Sequence, residues 1–532
     1  MTTTTTTPYR SNLGAGRDGF AQLLHAEWTK FRTVRGWMIG MMAAVLVTVL
    51  VGLLRSAGSN ITCIGEGGRA CDHTPVIGPG GGAVTDAFYF VHQPLAGDGS
   101  ITVRVTSLTG LIPVIPSGGA VPRGQGPSDM RSGLGPWSKA GIILKDSTNQ
   151  GSAYAAMMVT GGHGVRMQYD YTHDTAGPPG AVSAASPRWL RLTRAGDTIT
   201  GYESADGTRW TKVGTATLAG LSSTVQAGLF VASPDYSVTT PSLGRQSTTG
   251  GPTQATALLD HVSLHGTWPR GAWTGDRIGG DTGPNPRGAG FQQAGGALTV
   301  SGSGDIAPLV PGQAVPTRAI EDALVGAFAG LIVVIVVAAM FMTSEYRRGL
   351  IRTTLAAGPR RGRVLAAKAI VIGSVTFVTG LVAAGVAVQL VERLERDKGF
   401  YVFPVTSLTE LRVIVGIAAV LAVGAVLALG VATVLRRSAG AVATAIVAIV
   451  LPFILAVASA LPAGAAQWLL RVTPAAAFAV QQTIPKYGQV AASYTPSNGY
   501  FPLAPWTGFA VLCGYAALAL GWAFFLLRRR DA

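Results

Sequence analysis

Residues Met342–Lys368, MTSEYRRGLIRTTLAAGPRRGRVLAAK, decide how the rest of the chain is read. Apolar runs flank them, Ala323–Phe341 on one side and Val364–Leu390 on the other. Each run is near the ~20 residues that a helix needs to cross a bilayer. Between them stand Arg347, Arg348, Arg352, Arg360, Arg361 and Arg363, with Glu345 the one acid. Lys and Arg beside membrane spans mark the cytoplasmic side. The pattern therefore predicts a basic cytoplasmic loop, 342–363, between two spans. Gly358-Pro359 stops any helix within it, which makes the loop a compact lever with charged ends.

Four further runs have span length: Trp37–Leu54, Val413–Leu435, Ala439–Leu461 and Trp506–Leu527. Six spans place both termini inside. The inner segments then hold 17 Lys and Arg and the short outer loops six, the asymmetry that the positive-inside rule requires. Lys368, one turn into the third span, is expected to snorkel to the inner surface. Pro452 falls inside the fifth span, where a helix bundle tolerates it. Ahead of the first span, Phe20, Leu23, Leu24, Trp28 and Phe31 recur at helical spacing among charged residues, which predicts an amphipathic helix on the inner membrane face. Residues 1–19 are rich in Thr, Gly and Ser and read as disordered.

The chain has 532 residues and a net charge of +15, and that charge is unevenly placed. Arg55–Arg318 carries 18 Lys and Arg against 16 Asp and Glu, whereas the remainder carries 23 against 10. The excess therefore flanks apolar runs. A nucleic-acid binder would gather it on a soluble face, so that class is excluded.

Two stretches resemble the ABC-2-type permeases. One is Glu345-Tyr346 followed by Arg348, Gly349, Leu355, Gly358, Pro359, Arg361 and a span led by Lys368; the other is AEWTKFRTVRGW before the first span. The resemblance implies that the first cytoplasmic loop docks on a separate ATP-hydrolysing subunit, through Ser344, Glu345, Tyr346, Arg347, Arg348, Gly349, Arg352, Gly358, Pro359 and Arg361. It also implies a re-entrant hairpin between the last two spans, at the outer gate. Residues 462–505 suit that role, since they are mostly apolar yet interrupted by Arg471 and Pro474. No GxxxxGK[ST] motif occurs in the chain, so ATP would be bound by the partner and no cofactor by this chain.

Between the first two spans lies 55–318, an extracytoplasmic segment by this topology. Short β-type runs separated by turns, such as Ala205-Asp206-Gly207, predict an all-β sandwich with its core at about 86–266. Trp137–Ser147, Pro187–Gly214 and Val225–Ser233 resemble concanavalin A-like jelly rolls. The Gly-rich part after Gly266 reads as a stalk back to the membrane. Trp137, Tyr202, Asp206 and Trp210 are candidates for binding a cell-wall glycan, by ring stacking and polar contacts, though core packing is the competing role for such rings. Glycosidase chemistry needs paired carboxylates. The segment holds two glutamates, Glu66 and Glu203, and no ExDxxE strand, so catalysis is not expected. Asp170, His173 and Asp174, or His261 with His265, are too sparse to predict a metal centre. Cys63 and Cys71, outside the membrane, are expected to form a disulfide.

The expected molecule is thus a six-helix membrane bundle, 20–54 and 319–532, with an all-β sandwich inserted between its first and second helices. Its expected role is the permease subunit of an exporter in the bacterial plasma membrane. Its expected partners are a separate ABC ATPase, a second permease copy or relative, and membrane lipid. The competing reading is a membrane-anchored glycan-binding protein.

Overall fold

The computed structural model describes residues 19–58, 74–115, 129–242, 245–269, 271–279, 289–311, 317–347, 349, 360–458, 461–492 and 494–529. Cys63, Cys71, Arg348, Arg352, Gly358, Pro359 and residues 1–18 lie outside them. Among the described residues, six helices are long and apolar enough to cross a membrane: Arg35–Ala57, Ala327–Arg347, Arg361–Asp397, Ser407–Leu435, Ser438–Val457 and Pro505–Arg529. We call them the first to sixth spans.

The fourth span is the core of the bundle. It packs against the second, third, fifth and sixth spans, and its sequence is apolar on all sides, as a central helix requires. Thr406 caps it by accepting from the Thr409 N–H at 3.3 Å. The first and second spans touch at Gly326, where a Cβ would overlap the Thr48 carbonyl oxygen. At 37 residues, the third span is far longer than a bilayer needs. Its end beyond the apolar run carries Glu395, paired with Arg318 at 3.3 Å. Pro452 sits within a continuous fifth span.

The helix Phe20–Thr33 precedes the first span and breaks at extended Val34. The residues it buries are Glu27 and Phe31, while Phe20 and Trp28 stay exposed. It is therefore docked on the bundle through a carboxylate and one ring, and not by a simple apolar stripe.

Between the first and second spans in chain order, the strands form one 14-stranded sheet with smaller sheets beside it. The strand Phe88–Pro113 runs through its middle. Its first half pairs with Thr224–Ala232 and its second half with Arg188–Ala195 and Gln254–Thr267. The sheet folds over, so that Lys139–Lys145 and Tyr154–Thr160 lie against Arg188–Ala195 without hydrogen bonding to it. Val91, Ile142, Met157, Leu190, Leu192 and Leu229 fill the space between.

KAGIILK and YAAMMVT do not alternate, because both their faces are covered. A second core of Phe88, Phe90, Ile143, Tyr154 and Phe230 lies on the far side. The Gly-rich part after Gly266 is not a stalk. Thr274–Ile278 pairs with the central strand, and Ala297–Gly302 pairs with Gln254–Thr267. A polar, Gly-rich composition hid Thr274–Ile278 and Gly290–Ala294, because most of their side chains face outward.

The β domain rests on one end of the bundle. Thr317–Arg318 pairs in parallel with Tyr401–Val402, and Ala83 and Leu309 pack with Phe403, Ile484 and Tyr500. The segment expected to form the hairpin, 462–505, is a helix, Ala463–Val472, then a buried 3-10 helix, Pro474–Gln481, then irregular chain. The Gln489 side chain donates to the carbonyls of Tyr171 and Thr172 in the β domain at 3.3 and 3.2 Å.

Candidate functional site

Four charged side chains converge at the end of the bundle that bears the 342–363 loop. Glu27 and Lys30 come from the helix Phe20–Thr33, three residues apart and so on one helix face. Glu345 comes from the last turn of the second span and Lys368 from the third span. Lys368 Nζ donates to Glu27 Oε2 and to Glu345 Oε1, each at 2.7 Å. Lys30 Nζ donates to Glu27 Oε1 at 2.8 Å and to Glu345 Oε1 at 3.2 Å. Lys368 and Glu27 are 0% exposed. The Phe341 ring lies 4.7 Å from Lys368 Nζ and stacks edge-on with Trp37 and Phe31.

Two positive and two negative charges make the cluster formally neutral, and every charge has a partner. Ionic groups tolerate burial under those conditions. Burial opposes the charge on Lys30, but hydrogen bonds to Glu27 and Glu345 and their negative charges outweigh it and hold its pKa above the ordinary lysine value. Lys368 does not snorkel. Two carboxylates and a ring face satisfy its ammonium inside the bundle, so its stem has no reason to reach for water.

The loop is tied in at further points. Tyr346 lies under the Arg436 guanidinium, 5.3 Å from ring centroid to Cζ. Arg436 is the left-handed cap of the fourth span, at φ 56°. On the far side of the loop, Arg361 Nη1 donates to the Leu527 carbonyl of the sixth span at 2.5 Å. Ser344 is half-buried, with its hydroxyl on the Phe341 carbonyl, and Arg347 is exposed. Gly349 is exposed at φ 66°, a backbone conformation that glycine adopts without strain. Glu27, Lys30 and Arg436 were not singled out as site residues from sequence. The signal available was an acid and a base three apart on a helix that also carries Phe31.

At the opposite end, Glu321 is a buried carboxylate just ahead of the second span. It accepts from the Thr483 hydroxyl of the hairpin at 2.6 Å. Burial pushes its pKa up to about 7 although that hydrogen bond pulls the other way. The native fold thus favours the protonated acid. Its contribution to stability is full below the ordinary value of 4.5 and is lost as pH rises through about 7. Between pH 5 and 8 this amounts to on the order of 3 kcal/mol. Thermal unfolding in detergent should therefore show wild type losing stability over that range and Glu321→Gln losing about 3 kcal/mol less, the remainder coming from groups such as Glu395, beyond the apolar run of the third span, which burial also pushes up to about 7. Parallel curves for the two proteins would remove Glu321 as the cause.

The four candidate glycan ligands do not form one site. Trp137 is 7% exposed, with its ring stacked on His163 at 4.0 Å and Arg166 nearby. Asp206 holds a turn: its carboxylate accepts from the N–H groups of Thr208 and Arg209 at 2.8 and 2.9 Å. Those bonds keep its carboxyl well below the usual range. Tyr202 and Trp210 do lie together, on one sheet face around Arg191. Asp174 is taken up by Arg166 and Gln168, and His173 stacks on Tyr169. A bulge after Asp260 takes His261 out of register with His265 and pairs it with Asp260 at 3.1 Å.

No curated protein matches the chain. Among solved structures, a functionally unknown protein from Saccharomyces cerevisiae is 17% identical over 35% of this chain and 76% of its own, with a TM-score of 0.20. A mutant of the GH43 protein BlXynB from Bacillus licheniformis is 16% identical over 25% of this chain and 24% of its own, with a TM-score of 0.16. Scytalido-glutamic peptidase with a peptide-based transition state analog is 8% identical over 42% of this chain and 100% of its own, with a TM-score of 0.22. Likenesses at this level carry no argument about fold or activity. A family model does match, over residues 172–532, more than half of the chain and including the second to sixth spans and the whole 342–363 loop. With six span-length helices, that match makes this a multi-pass membrane protein and a member of the ABC-2 family of transporter proteins.

Proposed function

We propose that the chain is the membrane-spanning subunit of an exporter driven by a separate ATPase, which docks on the 342–363 loop. The carrying observation is that both described ends of this loop are tied into the bundle. Glu345 holds the helix Phe20–Thr33 and the third span through Lys30 and Lys368, Tyr346 meets Arg436 of the fourth span, and Arg361 holds the sixth. A push on the loop is thereby passed to four elements at once. Family membership supports the partner, since ABC-2 membrane subunits work with an ABC ATPase.

The surplus of arginine at the loop end supports a cytoplasmic position for both termini and for the loop. The β domain then faces the outside, where Cys63 and Cys71 can form a disulfide. Six helices are few for a pathway, which supports a dimer with a second copy or a related permease. We read the β domain as a concanavalin A-like sandwich that recognises a glycan. Such recognition belongs to the transporter as a second task, because one span would anchor a lectin and six are present.

The test is affinity purification of the full-length protein from its own membranes. A subunit with a Walker motif should copurify, and the complex should hydrolyse ATP. The double charge reversal Arg348→Glu with Arg352→Glu should cut copurification by about ten-fold, as loss of steering and pairing predicts. If the intact protein brings down no ATPase, the exporter reading fails.

A further inference from the structure

One sheet face of the β domain has no covering layer among the described residues. Residues Leu190, Leu192 and Ile199 point into the core, so their neighbours Arg191 and Tyr202 stand on the opposite face. The strand registers set Ser263, Thr102, Arg191, Tyr202 and Lys212 in one row across five strands. The next row carries the hydroxyls of Thr193, Thr200 and Thr215.

The charges on this face do not cancel. Arg104 is neutralised by Asp260, with two bonds of 2.7 Å. Arg191 is not. Its Nε donates to the Thr102 hydroxyl at 3.0 Å and its guanidinium lies 3.8 Å from the Trp210 ring centroid, and neither partner is an acid. Its two Nη groups have no hydrogen bond among the described residues. Of the acids on the adjacent strand and its turn, Asp206 is consumed by its own turn and Glu203 lies buried beside Arg188 at 3.8 Å. Lys212 is exposed and also lacks a carboxylate partner among the described residues. Desolvation pushes the Arg191 guanidinium below its ordinary pKa, offset in part by Tyr202, as fits a half-buried cation with no counter-ion.

A guanidinium held over an indole ring, with neither Nη group hydrogen-bonded among the described residues, is organised in advance to grip a two-oxygen anion. Beside it lie a tyrosine ring, a second cation and a row of hydroxyls. Two cations are few for nucleic acid, and hydroxyls rather than apolar side chains line the next row beside the rings. We propose that this face binds an anionic polysaccharide, its carboxylate or phosphate on Arg191 and Lys212 and a sugar ring against Tyr202. The site deepens the glycan reading above and rests on it. Because it is assayed on purified protein, its failure is separate from failure of the ATPase partnership.

Full-length protein in detergent is titrated with polygalacturonate, poly(glycerol phosphate) and neutral dextran at two salt concentrations. Binding to one or both anionic polymers that weakens with salt, and none to dextran, is expected; the polymer preferred identifies the anion. Arg191→Gln and Tyr202→Leu should each weaken binding about ten-fold or more, and Lys212→Gln about three-fold. Arg191→Lys should recover only part, because a point charge cannot make the two-pronged contact. Arg209→Gln, at an exposed side chain paired with Asp206, should leave binding unchanged. An unaltered melting temperature in Arg191→Gln separates lost recognition from lost folding. No binding to either anionic polymer, equal binding to dextran, or unchanged affinity in Arg191→Gln would overturn the proposal.

Discussion

Lys368→Met should release the helix Phe20–Thr33 from the bundle and disconnect it from the loop. The ammonium makes 2.7 Å bonds to Glu27 and Glu345, on two different elements. Without it, both carboxylates rely on Lys30, whose side chain is 41% exposed. Removing one partner of a buried ion pair costs about 3–5 kcal/mol, because the remaining charge is stranded away from water. Amide exchange within 20–33 should then quicken by roughly two orders of magnitude, and ATP hydrolysis by the assembled transporter should no longer respond to the loop. Adding Glu27→Gln and Glu345→Gln to Lys368→Met should restore much of the protection, since no buried carboxylate is then left unpaired. Unchanged exchange in Lys368→Met would show that the cluster does not hold the helix.

The second large effect is expected at Asp86. One carboxylate oxygen accepts from Lys145 Nζ at 2.7 Å and from the Tyr171 hydroxyl and the Gly151 N–H at 2.8 Å. Lys145 and Asp86 are both 0% exposed. Burial already lowers the Lys145 pKa, and the charge of Asp86 is the main force resisting it. Asp86→Ala therefore strands an ammonium inside the β domain, again at about 3–5 kcal/mol. The damage should travel. Asp170 and Tyr171 have positive φ, 44° and 64°, a conformation that costs energy and persists only when surroundings enforce it. Gln489 of the hairpin grips the carbonyls of Tyr171 and Thr172 in that same turn. Hydrogen exchange should therefore rise both in the β domain and at 484–492. Asp86→Ala with Lys145→Met should recover stability in the domain but not the grip of the hairpin, since Tyr171 still lacks its anchor. A normal melting temperature in Asp86→Ala alone would refute this account.

The six spans and many of the longer strands of the large sheet were legible in the sequence, because both depend on short windows of residues. Val413–Leu435 left no room for a second reading: it is apolar on every side and too long for a strand, so it could only be a buried helix. The strands missed included Thr274–Ile278 and Gly290–Ala294, whose side chains mostly face outward in Gly-rich sequence, and the paired strands Tyr236–Ser242 and Arg245–Gly251. The loop's tie to the bundle was half legible. Glu345 and Lys368 stand in the decisive stretch itself, 23 residues apart. Their partner Glu27 lies 341 residues from Lys368 and carries no mark of its role beyond its place on an amphipathic helix. Tyr202 and Trp210 were legible as rings able to stack on a ligand, but the place of Arg191 between them emerged from strand register.

Apolar length, arginine placement and turn chemistry act between residues close along the chain, so the order of letters alone established a membrane bundle, its expected orientation and a β-rich insert. Pairing of buried charges is a different matter. Lys368 with Glu27, Lys145 with Asp86 and Gln489 with the Tyr171 turn span 341, 59 and 318 residues. An ion's partner is whichever opposite charge the fold brings within about 3 Å after water has left. Packing alone made that choice, and with it turned a lysine expected at the surface into the hub of the loop end.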